Sequence, residues 1–336
     1  MAGLEKECMS RTALIAVGGN SLIRAGEKGT IAEQLSNARR TATAIVGLVR
    51  LGYRLIVTHG NGPQVGAQLL RSERAADVAY SQTLDVCGAA SQGEIGYLLA
   101  QSLRNELSAA GFNLPVVSMV TQTLVSPDDP AFAHPSKPIG PFYSHSDAEE
   151  KKRLGWQIVE DASRGYRRVV ASPEPTEILE LEAIRDLVRD GVLVISTGGG
   201  GIPVVRDVDG SIHGVDAVID KDRASALLAT ALGVDLFVIS TDTDYVYLNY
   251  KQKNQTPLEA VTSDEMRQHL QAGHFPPGNM GPKVESVLRF LEQGGTEAII
   301  TSFEQLEEAV AGRAGTRIMP ARASVAVEEA EVLSCR

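Results

Sequence analysis

The stretch Leu14-Ile15-Ala16-Val17-Gly18-Gly19-Asn20 decides the fold class. An apolar run this short, ended by a glycine pair, reads as a strand buried on both faces. Beyond it, apolar residues recur at Ile31, Leu35, Ala38, Ala42, Ile45 and Val49, in alternating steps of four and three, which is one face of a helix. Gly52 supplies a left-handed stop. The next strand, around residues 55–57, leaves through His59-Gly60-Asn61-Gly62.

The same strand, glycine exit and helix recur downstream. Ile178, Leu181, Ile184 and Leu187 line a helix that stops near Gly191, and a strand over residues 193–196 runs into Gly198-Gly199-Gly200-Gly201. Residues 236–240 and 298–300 read as two more strands, and Ser302 with Gln305 reads as a capping box opening a last helix. Strands separated by helices imply right-handed crossovers and an α/β fold with a mostly parallel sheet covered on both faces. Ligands in such folds sit beyond the carboxyl ends of the strands, where the glycine exits fall.

Two regions break the rhythm. Residues 121–165 hold Pro127, Pro130, Pro135, Pro138 and Pro141, and read as an inserted arm with little apolar surface for docking, expected to move as a unit. The tail after Ile318 is rich in Ala and Glu and lacks periodicity. Spacing places a lobe boundary near residues 220–225.

Composition narrows the partners. The 336 residues carry a net charge of −10, which argues against nucleic acid or an anionic membrane surface. Aromatic residues at 5% argue against stacking platforms for single strands. The three cysteines, Cys8, Cys87 and Cys335, show neither a disulfide framework nor zinc spacing, so a cytoplasmic location is expected. No run approaches a membrane span, and the first residues lack the pattern of a signal peptide.

Glycine lets backbone N–H groups converge on an anion, and a following helix start adds positive partial charge. Three such exits in one α/β chain point to a shared phosphate site. Two familiar phosphate-binding patterns are excluded. Pro203 stands where G-x-G-x-x-G needs its third glycine, and Gly278-Asn279-Met280-Gly281-Pro282-Lys283 lacks the gap and the hydroxyl residue of a Walker A loop. Lys221 lies among Asp216, Asp220 and Asp222, and Lys283 sits at a helix start, against the dipole, which favours a bound anion there. The segment Ser240-Thr241-Asp242-Thr243-Asp244-Tyr245-Val246-Tyr247 offers polar and aromatic groups suited to ribose and adenine.

Taken in order, these segments resemble the carbamate kinase family of the amino acid kinase superfamily. The segments are Ala16–Asn20, Thr58–Gly66, His134–Phe142, Gly198–Pro203, Gly214–Asp222 and Asn279–Lys283, within a resemblance running from about residue 12 to 318. It implies an open αβα sandwich of two lobes with a protruding arm, and a homodimer. Residues 1–222 would form the lobe for carbamate or carbamoyl phosphate, and residues 223–336 the lobe for ADP or ATP, with Mg²⁺. Lys137, Lys221 and Lys283 would contact the phosphates and Asp222 would orient the lysines. Gly18, Gly19, Asn20, His59, Gly60, Asn61, Gly199 and Gly200 would line the substrate and phosphate site. Asp242, Tyr245, Val246, Tyr247 and Met280 would meet the nucleotide, and no side chain is assigned to a metal. The chain departs from the family at Pro276-Pro277-Gly278-Asn279, at Ala171 and at Ser163. The alternatives are another small-acid kinase of the superfamily and a nucleotide sensor without activity.

Overall fold

The computed structural model describes residues 11–18, 22–24, 26–160, 165–276 and 280–321. Its centre is an eight-stranded sheet, in the spatial order Ala260–Thr262, Thr316–Met319, Ala298–Ser302, Leu236–Thr241, Arg11–Val17, Tyr53–His59, Leu193–Ile195 and Val116–Ser118. All neighbours run parallel except Ala298–Ser302 with Thr316–Met319.

The opening apolar run is continuous because both its faces are covered. Ala13, Ile15 and Val17 pack on one side with Ile45 and Leu48 of the helix Ile31–Arg50 and with Ile95, Leu99 and Leu103 of the helix Leu84–Ala109. Leu14 and Ala16 pack on the other with Leu228 of Lys221–Leu232 and with Val287 and Phe290 of Met280–Glu292. The period of two within one strand thus feeds two cores. The helix Ile31–Arg50 opens on a capping box between Thr30 and Glu33 and is followed by Gly52 at φ 84°.

Three readings of the sequence are corrected. Ile178 ends the strand Pro175–Ile178, and the helix begins only at Leu181, since Glu177 and Ile178 pair with the strand Gln122–Val125. Ser302 makes no side-chain cap; its hydroxyl is buried without a partner, and a short 3₁₀ turn, Phe303–Gln305, intervenes before the last helix. The strand Gln122–Val125 runs parallel to Ile202–Arg206 in a separate four-stranded sheet, so the first residues read as arm belong to the body.

What stands apart is a three-stranded antiparallel sheet, Lys137–Tyr143, Tyr166–Val170 and Ile158–Glu160, with the helix His145–Arg153. It has the docking surface that the sequence hid: Ile139 and Val170 are buried against Val65 and Leu69 of the helix Gly62–Arg74. A side chain on Gly66 would meet the Gly140 backbone, its Cβ 2.9 Å from the Gly140 Cα, so glycine is required for this approach. Ion pairs Lys151–Glu73 (3.3 Å), Arg168–Asp216 (2.9 Å) and Lys137–Asp220 (2.8 Å) also cross from the small sheet to the body.

The strand Arg11–Val17 lies between Tyr53–His59 and Leu236–Thr241. From it the chain first builds the sheet one way and later returns to build it the other way. A crevice opens where strand order reverses, at the carboxyl ends of Arg11–Val17 and Leu236–Thr241. Their junction is direct: the Gly18 N–H donates to Ser240 Oγ at 3.1 Å.

The helix Met280–Glu292 is anchored by Phe290, which meets Phe237 edge-to-face at 5.4 Å, both rings fully buried. Phe290→Ala is expected to lower the free energy of unfolding by about 3–5 kcal/mol, and Phe290→Leu by clearly less. Urea titration followed by circular dichroism reads both values. A loss below about 1 kcal/mol in Phe290→Ala would show that this face is not a packed core.

Candidate active site

The crevice is built around one carboxylate. Asp220 caps the helix Lys221–Leu232, its Oδ1 accepting from the Asp222 N–H at 2.9 Å and the Arg223 N–H at 3.3 Å. This cap fixes Lys221 and Asp222 as the first two helical residues. Lys283 Nζ donates to Asp222 Oδ2 at 2.9 Å from the first turn of the helix Met280–Glu292. Lys221 Nζ lies 3.0 Å from Asp222 Oδ1 but is aimed at the Val17 and Ala16 carbonyl oxygens, at 3.2 and 3.5 Å. That contact is therefore an ion pair more than a directed hydrogen bond, and Oδ1 receives no aligned donor. Lys137, from the small sheet, reaches Asp220 Oδ2. These residues line one open cleft of about 440 Å³, together with Ser136, Ser172 and Pro282.

The cluster is electrostatically coupled. Burial alone would push the Asp222 carboxyl up, but the Lys221 and Lys283 charges outweigh it and hold it far below the usual carboxylate range. Burial likewise works against the Lys283 ammonium, and Asp222 reverses this, so its pKa ends raised. Lys221 goes the other way: burial lowers it, Asp222 offsets only part, and the Lys283 charge adds to the lowering. Asp220 is held down by Lys137 against its own burial. Three ammonium groups meet Asp220 and Asp222, with Asp242 also acting on Lys283, at two helix N-termini, an arrangement that suits an anion.

The glycine exits adjoin the lysine cluster: the Val17 carbonyl that accepts from Lys221 Nζ also accepts from the Gly60 N–H. Gly19 and Asn20 lie outside the described residues. The Gly60 N–H donates to the Val17 carbonyl at 3.0 Å, and Gly18 is held by Ser240, so both amides serve the scaffold. In the Gly198–Gly201 run, Gly200 N–H and Gly201 N–H are taken up by the Thr197 and Gly198 carbonyls, both at 3.1 Å. The buried N–H groups of Gly198 and Gly199 have no backbone acceptor among the described residues. The amides without a backbone acceptor are thus those of Gly198 and Gly199, whereas the resemblance pointed to Gly199 and Gly200. A Cβ on Gly198 would collide with the His59 ring and one on Gly199 with the Asn61 side chain, so both close approaches require glycine. Asn61 is fixed by donating to Ser91 Oγ at 2.8 Å. Gln92 clamps the loop by donating to the Gly198 carbonyl (3.0 Å) and accepting from Thr121 N–H (2.8 Å).

Asp242 follows the strand Leu236–Thr241 and its charge is felt by Lys283. Tyr245 and Tyr247 meet edge-to-face at 6.2 Å, and Tyr245 lines a separate pocket of about 270 Å³ with Glu259, Arg313 and Arg317, not the lysine cleft. Val246 is a core residue, fully buried, with its N–H held by Thr316 Oγ1 at 2.8 Å, so its side chain is not a ligand contact. Met280 opens the Lys283 helix and packs partly on the core.

Two functional features were missed in the sequence. Asp220 organises the cleft twice, as helix cap and as the Lys137 partner; the signal was an Asp immediately before a helix start. Asp216, grouped with Lys221 by sequence, instead pairs with Arg168 on the surface. Ser91 and Gln92 left no signal, because their role depends on contacts from a distant helix.

No group of three or more His, Cys, Asp or Glu side chains suited to a metal ion occurs among the described residues.

The chain matches the amino acid kinase family over residues 11–302. It is 46% identical over 310 residues to the carbamate kinase of Thermococcus kodakarensis, covering 91% of this chain and 98% of that protein. Identity to the carbamate kinase of Pyrococcus furiosus is 46% over 319 residues, covering 93% of this chain and 100% of that one. Carbamate kinase from Giardia lamblia bound to AMP-PNP has a similar structure, with a TM-score of 0.87 at 43% identity, over 93% of this chain and 99% of that one. The chain is an enzyme that transfers phosphoryl groups, and it belongs to the amino acid kinase family, in its carbamate kinase branch.

Proposed function

We propose that this kinase transfers a phosphoryl group between carbamoyl phosphate and ADP, giving ATP and carbamate, which breaks down to ammonia and CO₂. The observation that carries the reading is the buried Asp222 holding Lys221 and Lys283 together at the switch-point crevice, with Lys137 beside them. Carbamoyl phosphate would lie on the side of His59, Asn61 and the Gly198–Gly199 amides. ADP would lie on the side of Asp242, Tyr245 and Tyr247; the Giardia relative was solved bound to AMP-PNP, which favours a nucleotide substrate. This divides labour between residues 1–222 and 223–336.

Carbamate is already an anionic oxygen nucleophile, so its attack on a γ-phosphate needs no general base. Catalysis reduces to placing two anions in line and neutralising charge as it spreads over the phosphoryl oxygens. Lys221 and Lys283 supply fixed positive charge, and the Gly198 and Gly199 N–H groups supply preorganised donors. Asp222 keeps the two ammoniums from splaying apart and takes no proton itself. Mg²⁺ bound to the nucleotide would neutralise phosphate charge. Carbamoyl phosphate is a mixed anhydride and a strong donor, so flux toward ATP is the chemical direction.

A cytoplasmic homodimer is part of the proposal. Exposed Val86 and Tyr97 on the helix Leu84–Ala109, with Val120 nearby in sequence, favour a second copy as the partner. Incubating the protein with ADP, Mg²⁺ and carbamoyl phosphate, with acetyl phosphate in parallel, tests the reaction. ATP formation from carbamoyl phosphate supports it; nucleotide binding without turnover would favour the sensor reading.

Lys283→Ala is expected to cut turnover a hundredfold or more, equivalent to about 3 kcal/mol, with the circular dichroism spectrum unchanged. Wild-type turnover in the folded variant would remove Lys283 from the chemistry. Asp222→Asn should lower kcat by a similar factor at every pH between 6 and 9, since Asp222 is ionised throughout and donates nothing. Loss of a single limb of the pH profile would instead assign it a proton transfer. Lys137→Ala should lower turnover on carbamoyl phosphate while leaving ADP affinity, read by calorimetry, nearly unchanged. An equal loss of ADP affinity would place Lys137 on the nucleotide instead.

A further inference from the structure

The crevice is rich in donors. Three ammonium groups and the Gly198 and Gly199 amides all offer hydrogens, and the carboxylates of Asp220 and Asp222 are ion-paired with lysines. Phosphate and carboxylate oxygens need only such donors. The carbamoyl group has something more, an NH₂ whose hydrogens need an acceptor if they are buried.

His59 supplies one. It ends the strand Tyr53–His59 at the crevice, 1% exposed, close enough to Lys221 to feel its charge. Its Nδ1 is 3.1 Å from the Gly60 carbonyl oxygen. A carbonyl oxygen can only accept, so Nδ1 carries the hydrogen, and in the neutral ring Nε2 is a bare lone pair. The Cε1–Nε2 edge faces Gly198, where no Cβ intervenes, so it borders the loop whose free amides would hold the transferred group. Burial lowers the imidazole pKa, the Gly60 bond opposes this, and the Lys221 charge lowers it further, to about 4. The ring is therefore neutral at working pH, where a protonated ring would offer one more donor to a site that has enough.

We propose that His59 Nε2 is the specificity determinant for the substrate's amino group, accepting an N–H of the carbamoyl moiety and so favouring it over acyl phosphates that carry a methyl there. The inference rests on the carbamoyl phosphate reading and adds a role that phosphate binding does not require.

The test compares kcat/KM for carbamoyl phosphate and acetyl phosphate, each with ADP and Mg²⁺, in wild type, His59→Leu and His59→Gln. Both variants are free to lose activity on both donors; the ratio is the readout. In His59→Leu the ratio should fall about tenfold, the worth of one hydrogen bond to a neutral acceptor. His59→Gln, whose amide oxygen restores an acceptor, should recover part of it. An unchanged ratio in His59→Leu overturns the proposal. A wild-type enzyme that makes no ATP from carbamoyl phosphate would instead sink the underlying reading. Should His59→Leu fail to fold, wild type with ¹⁵N-labelled histidine still decides. Nε2 should resonate as the unprotonated nitrogen at pH 7 and shift on adding carbamoyl phosphate but not acetyl phosphate. Equal shifts with both, or an unprotonated Nδ1, would overturn it.

Discussion

The active site depends on a single buried carboxylate held between two ammonium groups from different helices. Asp222 is 5% exposed, and a carboxylate at that depth with no compensation would be protonated or would destabilise the fold. Lys221 and Lys283 each stand in the first turn of a helix, where the dipole disfavours positive charge by about 0.3–1 kcal/mol. Each misplacement cures the other. Asp222 sits where the helix N-terminus favours an anion, and it draws both lysines to the place where the dipoles oppose them.

The scaffold delivers these groups because the strand order reverses between Arg11–Val17 and Leu236–Thr241. Lys221 Nζ is tied to the carbonyl oxygens that end the first of these strands, and Gly18 is tied to Ser240 that ends the second. The helices bearing Lys221 and Lys283 pack side by side on one face of the sheet, so their N-termini converge without any loop having to reach. On the other face, the helix Leu84–Ala109 supplies Ser91 and Gln92, which position Asn61 and the Gly198 turn. The proposed acceptor side and nucleotide side draw on opposite halves of one continuous sheet.

Much of this was legible in the sequence because it is local. Strands buried on both faces appear as unbroken apolar runs, and their glycine exits appear directly after them, so the α/β class and the ends of strands that matter could be read. Lys221, Asp222 and Lys283 could be picked out because a lysine near a helix start is locally anomalous. What failed to show is what depends on partners distant in the chain. The docking surface of the small sheet is Ile139 and Val170, isolated among prolines and polar residues, and it becomes a surface only against Val65 and Leu69. Val246 looked like a ligand contact from its neighbours, yet its face of the strand points into the core. Glycine-rich sequence singled out the Gly198–Gly201 turn, but hydrogen-bond accounting within the turn decided which amides remain free.

The three lysines are not equivalent, and the difference assigns their work. Lys221 and Lys283 side chains are 11% and 14% exposed and share a buried counter-ion, so moving either leaves an uncompensated charge behind, which is costly. Lys137 is 36% exposed and pairs with Asp220. A pair with one partner this open contributes about 0–1 kcal/mol, and solvent takes up the Lys137 ammonium once it is broken. Asp220 also keeps its role as the helix cap when Lys137 leaves, because its Oδ1 bonds to the Asp222 and Arg223 amides are separate from the Oδ2 contact with Lys137. Lys221 and Lys283 therefore form the fixed half of the charge clamp. Lys137 is carried on a small sheet docked through Ile139 and Val170 and is the more exposed lysine, so it is the less rigidly held part of the cluster.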